Sequence, residues 1–110
     1  MNTSQYEAPA SVDDAVALLA NAKGDARVLA GGTDLLVQLR AGMIDPALIV
    51  DIKKISEMTT VSAEKGGFRI GAAVTGAELN ENDAVKSAWP GVVEAFDLIG
   101  STQVQGRCSL

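Results

Sequence analysis

The sequence of 110 residues contains no histidine and only one cysteine, Cys108. Without histidine the chain cannot supply the Ser-His or Cys-His pair that activates a nucleophile, and Cys/His metal centres are excluded as well. A single cysteine also cannot form a disulfide within the chain. These absences remove several common hydrolytic and metal-binding functions from consideration.

Basic and aromatic residues are also scarce. Nine lysines and arginines stand against 14 acidic residues, the net charge is −5, and the aromatic residues are one tryptophan, one tyrosine and two phenylalanines. Nucleic-acid binding is therefore not expected, because it relies on a basic surface and often on stacking. No apolar run approaches the roughly 18 to 20 residues that cross a bilayer. The polar residues 1–9 contain no export signal, so we expect one compact, cytoplasmic domain.

Residues 11–52 alternate between helical and strand patterns. Apolar spacing predicts a helix over 11–22, capped by its first residue and ended by a left-handed Gly24. Residues 27–30 are predicted to form a short strand buried on both faces. A helix over 35–42 and a second apolar strand over 48–52 follow. This order favours a small parallel sheet with a right-handed crossover.

The pattern changes after residue 52. Segments 59–63 and 67–71 predict an antiparallel hairpin with its turn at Lys65-Gly66. We therefore expect an α+β (mixed α/β) chain with a boundary at about Lys53. Residues 1–53 would form an amino-terminal α/β subdomain, and residues 54–110 the beginning of a second, antiparallel one.

Helix signals return in the last third of the sequence. Thr75 and Glu78 have the spacing of a capping box, which is preferred here to an acid–base pair. Pro90-Gly91 begins another helix that is predicted to reach residue 99. Residues 101–110 are polar and show no clear period.

The strongest local motif is Ala30-Gly31-Gly32-Thr33-Asp34-Leu35, between a predicted strand and a predicted helix. Adjacent glycines let successive N–H groups converge on an anion at the positive end of a helix, and the Thr33 hydroxyl adds a donor. The carboxylate of Asp34 would repel such a ligand, so we expect it to cap its own helix. The pattern alone slightly favours a tight turn that binds nothing, because it has neither Rossmann nor Walker A spacing.

Three segments, in order, resemble the FAD-binding (medium) subunit of molybdenum hydroxylases of the xanthine dehydrogenase and carbon monoxide dehydrogenase type. They are the glycine loop, Arg-Ile-Gly-Ala-Ala-Val-Thr at 69–75, and Gln-Val-Gln-Gly-Arg-Cys-Ser-Leu at 103–110. The resemblance covers nearly the whole chain. It implies a vanillyl-alcohol-oxidase-like FAD fold in which residues 1–53 form the first FAD-binding subdomain.

In that family the matching loop holds the FAD diphosphate through backbone amides, and no side chain need act as an acid or base. The resemblance therefore assigns cofactor binding to the following positions: Leu29, Ala30, Gly31, Gly32, Thr33, Asp34 and Leu35. It implies an oxidoreductase component that passes electrons from iron–sulfur clusters through FAD to an acceptor. The implied partners are a molybdopterin-binding large subunit and a small subunit with 2Fe-2S clusters.

The carboxy-terminal motif departs from the family pattern. Gln105 and Gly106 stand where an arginine and an asparagine are usual, and the sequence stops at Leu110 before the expected Gly-Gly-Asn. We therefore expect an amino-terminal, truncated part of the fold that binds FAD weakly or not at all and is inactive by itself. Exposed apolar surface and strand edges would favour self-association.

Two alternative functions stay open at this point. One is a flavoenzyme similar to UDP-N-acetylenolpyruvoylglucosamine reductase, which also has a glycine loop for a diphosphate. The other is a non-enzymatic interaction domain whose glycine loop is only a turn.

Five further residues have mainly structural interpretations. Asp51 is expected to be an exposed strand-end carboxylate, although it could face a ligand. Trp89 is expected in the core or an interface rather than against a flavin, and Cys108 as a small buried side chain. Arg40 and Arg107 are expected on the solvated surface.

Overall fold

The structure, a computed structural model, describes residues 4–110. The strands are β1 (Gln5–Glu7), β2 (Ala26–Leu29), β3 (Leu48–Asp51), β4 (Val61–Glu64) and β5 (Gly67–Ile70). The helices are α1 (Val12–Ala20), α2 (Leu35–Arg40), α3 (Gly76–Asn80), α4 (Asp83–Ala88), α5 (Pro90–Asp97) and α6 (Thr102–Gln105), with a 3₁₀ turn at Ser56–Met58. The expected mixed α/β class is confirmed.

The first half of the chain forms a three-stranded parallel sheet in the order β1-β3-β2. Strand β3 is central and all four of its residues are buried, as its apolar sequence predicts. Strand β1 was not predicted, because three residues in a polar segment give no periodic signal; residues 1–3 of that segment lie outside the described part of the chain. The sheet brings the carboxyl ends of its strands to one edge.

The expectation that β2 is buried on both faces was wrong. Arg27 is exposed and the Val28 side chain is 48% exposed, because β2 lies at an edge of the sheet and pairs only with β3. Only Leu29 is buried in this strand. An apolar run therefore failed to distinguish an edge strand from a central one.

Helix α1 begins as expected, with the Ser11 hydroxyl accepting the Asp14 N–H at 3.1 Å. It ends at Ala20 with Asn21 as its capping residue, rather than being capped by Gly24, whose backbone is not left-handed. Gly24 instead lies close to the Ala47 side chain. The absence of a side chain at Gly24 therefore lets this segment lie close to the segment that contains Ala47, a contact that the local sequence does not reveal.

The second half contains the predicted hairpin, since β4 pairs with β5 antiparallel and Glu64 faces Gly67 across a two-residue turn. The predicted Thr75 cap is confirmed, because its hydroxyl accepts the Glu78 N–H at 3.2 Å. The helix beginning at Pro90 is also present. Helices α4 and α6 were not predicted, because each has at most six residues and no full apolar period.

Two apolar clusters stabilise these two halves. The first contains Ala15, Leu48, Val50, Ile52, Ile55 and Ala73. The second contains Val74, Leu79, Val85, Val93, Phe96 and Cys108. Because Ile55 and Ala73 pack with the sheet, chain beyond residue 53 contributes to the first cluster; the boundary near residue 53 stays a prediction.

The molecule is flat, with extents of 46 × 31 × 16 Å and a radius of gyration of 15.5 Å. A compact domain of this length has a radius of gyration of about 13 Å. Among the described residues, no helix has both the length and the apolar character that a bilayer span requires.

Candidate functional site

The glycine loop lies where β2 leaves the sheet and before α2 begins. It borders an open depression of about 360 Å³ lined by Arg27, Val28, Ala30, Gly31, Gly32, Thr33, Asp34, Leu35, Gln38 and Ser109. Six of the seven predicted site residues, which are consecutive in the chain, therefore line this depression. The seventh, Leu29, is buried beneath the loop with 8% of its surface exposed.

The loop meets the carboxy-terminal segment directly. A Cβ atom added at Gly31 would lie 1.8 Å from the carbonyl oxygen of Arg107, so only glycine fits there. The Gly31 N–H points to the hydroxyl of Ser109, with the two atoms 3.4 Å apart. Two of the segments that carried the family resemblance thus form one site, although 78 positions separate Gly31 and Ser109.

The segment around Ser109 is held in place by α3. The Gly76 N–H donates to the Cys108 carbonyl oxygen at 2.9 Å, and Thr75 and Ser109 form an isolated antiparallel bridge. The Cys108 side chain is 5% exposed, which confirms its expected burial. Capping of α3 and packing of the second cluster therefore fix one wall of the depression.

Gly32 adopts a left-handed backbone with a φ of +85°. A Cβ atom at this position would approach the side chains of Leu36 and Leu29 within about 3 Å. The loop therefore turns sharply over the buried Leu29 and directs the chain into α2.

Backbone donors are available in this loop. The N–H groups of Gly32, Thr33 and Asp34 have no hydrogen-bond acceptor among residues 4–110. Because α2 has only six residues, the individual amides matter more here than a helix dipole. Unpaired amides beside glycines without side chains suit an anionic group such as a diphosphate. The residues present thus fit the diphosphate of FAD.

The expected role of Asp34 was wrong. Asp34 is the residue before α2, but its side chain makes no capping hydrogen bond. Its carboxylate instead accepts a hydrogen bond from the Gln38 side chain at 2.7 Å. The backbone of Asp34 is already α-helical, with φ −109° and ψ −50°, whereas capping residues normally have extended backbone.

Asp51 was also predicted wrongly, because it is 6% exposed. Its carboxylate accepts hydrogen bonds from the Tyr6 hydroxyl at 2.5 Å and the Lys53 backbone N–H at 3.0 Å. The Lys53 ammonium lies 2.9 Å from the same carboxylate and donates to the carbonyl oxygen of Ala30 at 2.8 Å. The unpredicted β1 supplies Tyr6, so the sequence did not indicate this hydrogen bond.

Burial by itself raises the pKa of Asp51, but the hydrogen bonds from Tyr6 and Lys53 and the lysine charge together hold it below its ordinary value of 3.8. The hydrogen bond that the Tyr6 hydroxyl donates to Asp51 raises the pKa of Tyr6. A carboxylate whose pKa is lower in the folded than in the unfolded chain stabilises the fold at any pH above its pKa in the unfolded chain. That stabilisation is lost as the pH falls through its pKa in the folded chain.

We expect Asp51→Asn to be less stable than the unmodified chain at pH 7, and this difference to shrink as the pH falls below about 4. Urea unfolding of both proteins between pH 7 and pH 2.5 measures it. A stability difference that stays constant across this range would contradict the role given to the Asp51 charge.

The other residues singled out from sequence do not line the depression, although the Arg107 carbonyl oxygen lies against Gly31. Trp89 is 56% exposed, so its expected place in the core was wrong, and its place in an interface stays a prediction. Arg40 and Arg107 are exposed, as expected. Sequence reasoning missed the lining residues Arg27, Val28, Gln38 and Ser109, although Ser109 lies in a motif that was recognised.

A larger depression of about 760 Å³ lies between α1 and β1, lined mainly by alanines, Leu18, Leu48 and Pro9. It does not include the glycine loop. Within residues 4–110 there is also no group of three or more cysteine, aspartate or glutamate side chains placed to hold a metal ion.

Comparison with known proteins identifies the family. Residues 2–110 match the family described as the FAD binding domain in molybdopterin dehydrogenase. The chain is 36% identical to the carbon monoxide dehydrogenase medium chain of Hydrogenophaga pseudoflava over 94% of this chain and 36% of that one. It is 35% identical to the xanthine dehydrogenase FAD-binding subunit of Escherichia coli O157:H7, over 93% and 35% of the respective chains.

The fold agrees with a solved structure. Quinoline 2-oxidoreductase from Pseudomonas putida 86 superposes with a TM-score of 0.91 and 29% identity, covering 98% of this chain and 38% of that one. The chain spans about a third of the length of the curated relatives it matches. These matches give no support to the reductase-like flavoenzyme or to the interaction domain. The chain therefore belongs to the family of FAD-binding domains of molybdopterin dehydrogenases.

Proposed function

We propose that this chain provides the diphosphate-binding part of an FAD site in the electron-transfer component of a molybdopterin-dependent dehydrogenase. The observation that carries the proposal is the group of unpaired amides at Gly32, Thr33 and Asp34 beside the depression. FAD, when bound, supplies the hydride and one-electron chemistry. In the whole protein, electrons would pass from iron–sulfur clusters through FAD to an acceptor.

The chain's own residues would bind and orient the cofactor. The amides of the glycine loop would donate to diphosphate oxygens, and the Thr33 hydroxyl, which is exposed, would add a donor. Ser109 would close the opposite side of the depression. The carboxylate of Asp34 also lines the depression and would be held there by its hydrogen bond from Gln38.

Binding by this chain alone should be weak. The depression of about 360 Å³ lies near the lower end of the roughly 300 to 1,000 Å³ of ligand pockets, and it is open. It can enclose the diphosphate and adjoining groups but little of an isoalloxazine ring. We therefore propose that the isolated chain has no dehydrogenase activity.

The proposed partners are a large subunit that carries molybdopterin and a small subunit that carries 2Fe-2S clusters, in a cytoplasmic complex. Two of the relatives are described as a medium chain and an FAD-binding subunit, which supports an assembly of several chains. The flat shape and the exposed side chains of Met43 (72%) and Leu98 (85%) also favour contact with another polypeptide. Without its partners the chain would bury such side chains by self-association.

Calorimetric titration of the purified chain with FAD, ADP and riboflavin tests the binding site. We expect FAD and ADP to bind with dissociation constants weaker than about 10 μM and to compete with each other, because each retained amide contact contributes about 1.5 to 3 kcal/mol to a charged ligand. Riboflavin, which lacks phosphate, should not compete.

Three results would contradict the proposed binding. If riboflavin binds as tightly as FAD, the chain recognises the isoalloxazine ring rather than the diphosphate. If none of the three ligands binds at millimolar concentration, the glycine loop of this chain is not a diphosphate-binding site. Flavin that co-purifies near stoichiometry would contradict the expected weakness of binding.

A further inference from the structure

Lys53 connects the central strand to the glycine loop. It follows the end of β3 by two residues, and its ammonium lies 2.9 Å from Asp51 and 2.8 Å from the carbonyl oxygen of Ala30. Ala30 is the residue immediately before Gly31. Lys53 therefore holds the first peptide group of the loop, although it does not line the depression itself.

A trans peptide group directs its carbonyl and its N–H to opposite sides. No cis peptide occurs in the described residues, so the Ala30 carbonyl that faces Lys53 requires the Gly31 N–H to face away from it. That N–H points to the hydroxyl of Ser109, which lines the depression. The Lys53 ammonium on one side of the Ala30–Gly31 peptide thus determines the direction of the Gly31 N–H on the other side.

The glycines make such a restraint necessary. Gly31 and Gly32 have no Cβ atoms, so the peptide groups around them rotate with little steric resistance. The carboxylate of Asp51, which is buried and hydrogen-bonded to Tyr6, holds the ammonium of Lys53 in turn. The direction of the Gly31 N–H is therefore determined by a chain of contacts that begins in β1 and β3.

We propose that Lys53 is a positioning residue that orients the Gly31 N–H toward the Ser109 hydroxyl and so fixes Ser109 opposite the amides at which the glycine loop would bind an anion. The biological meaning of this role rests on the proposed function, while the orientation itself does not. Lys53 acts through the Ala30–Gly31 peptide rather than through direct contact with the ligand. Lys54, its exposed neighbour, takes no part in these contacts and provides a matched control.

The test compares Lys53→Met and Lys53→Arg with Lys54→Met, which removes the same charge one position away. The first readout is the Gly31 amide in nitrogen-15 NMR spectra without ligand. We expect Lys53→Met to shift this resonance and to speed its hydrogen exchange about fivefold, because a partly exposed charged hydrogen bond is lost. Lys54→Met should leave the Gly31 resonance unchanged. Lys53→Arg should leave the resonance and the exchange rate close to those of the unmodified chain, because arginine keeps the charge and the donors.

The second readout is FAD affinity by calorimetry, which should fall about fivefold in Lys53→Met and stay within twofold in Lys54→Met. An unchanged Gly31 amide in Lys53→Met would overturn the positioning role. If that variant does not fold, Lys53→Ala, which also has neither the charge nor a side-chain donor, gives the same readout and the same decision. Absence of FAD binding even in the unmodified chain would overturn the proposed function, and the amide readout would still decide the role of Lys53.

Discussion

Replacing Gly31 with alanine is expected to lower the free energy of unfolding by about 3 kcal/mol, which is near the upper end for overpacking. The new Cβ would lie 1.8 Å from the Arg107 carbonyl oxygen and 2.8 Å from the Arg107 carbonyl carbon. Both are backbone atoms, so the contact cannot be relieved by moving a flexible side chain. Either the glycine loop or the carboxy-terminal segment must shift.

Such a shift would also affect the site. Cys108 packs in the second apolar cluster, and Ser109 lines the depression. A displaced carboxy-terminal segment therefore weakens the cluster and opens one wall of the depression at the same time. We expect FAD binding by Gly31→Ala to fall below detection.

Thermal and urea unfolding measure the effect on stability. For a chain of this size, 3 kcal/mol corresponds to a fall in Tm of about 13 °C. Gly67→Ala is the matched control, because nothing lies within 4 Å of its added Cβ, and it should change stability by less than about 0.5 kcal/mol. Equal stability of the two variants would show that the loop and the carboxy-terminal segment do not meet as described.

Leu79→Ala is expected to destabilise the chain by about 3 kcal/mol, within the range found for buried leucines. Leu79 has no exposed surface and lies in the second apolar cluster, so removing three heavy atoms leaves a cavity there. Measured on the monomer, the same substitution at Leu98, whose side chain is 85% exposed, should cost less than about 0.5 kcal/mol.

This pair of variants also tests how far the two clusters depend on each other. Chain beyond residue 53 contributes Ile55 and Ala73 to the first cluster, so we expect one cooperative unfolding transition in each variant. Circular dichroism follows the secondary structure of the whole chain, and the fluorescence of Trp89 follows the second half. A Leu79→Ala protein in which the parallel sheet survives after the second half has unfolded would show two independent units.

Much of the fold followed from short stretches of sequence. The Ser11 cap, the turn at Lys65-Gly66, the Thr75 cap and the helix at Pro90 are each confirmed. Each depends on residues within one turn of helix or hairpin, where a hydroxyl, a glycine or a proline has few alternative conformations. Three-residue β1 lacked any such signal.

The candidate site was only partly predictable. The glycine loop was recognised from its sequence, but the conformations of Asp34 and Asp51 were not. Asp51 is buried at the end of the central strand and accepts a hydrogen bond from Tyr6 in β1, and Asp34 pairs with Gln38 because its backbone is already helical. Tyr6 lies in a strand that the sequence did not indicate, whereas Gln38 follows Asp34 by four positions, a spacing at which helical side chains meet.

The sequence by itself determined that this chain has no histidine-based chemistry, that it alternates strands and helices before a hairpin, and which loop is rich in glycine. These properties follow from composition and from local backbone preferences. Only the tertiary structure decided that Ser109 faces Gly31 and that Lys53 holds Ala30. Contacts between residues so far apart depend on strand order and on how the two apolar clusters pack, and no short segment encodes either.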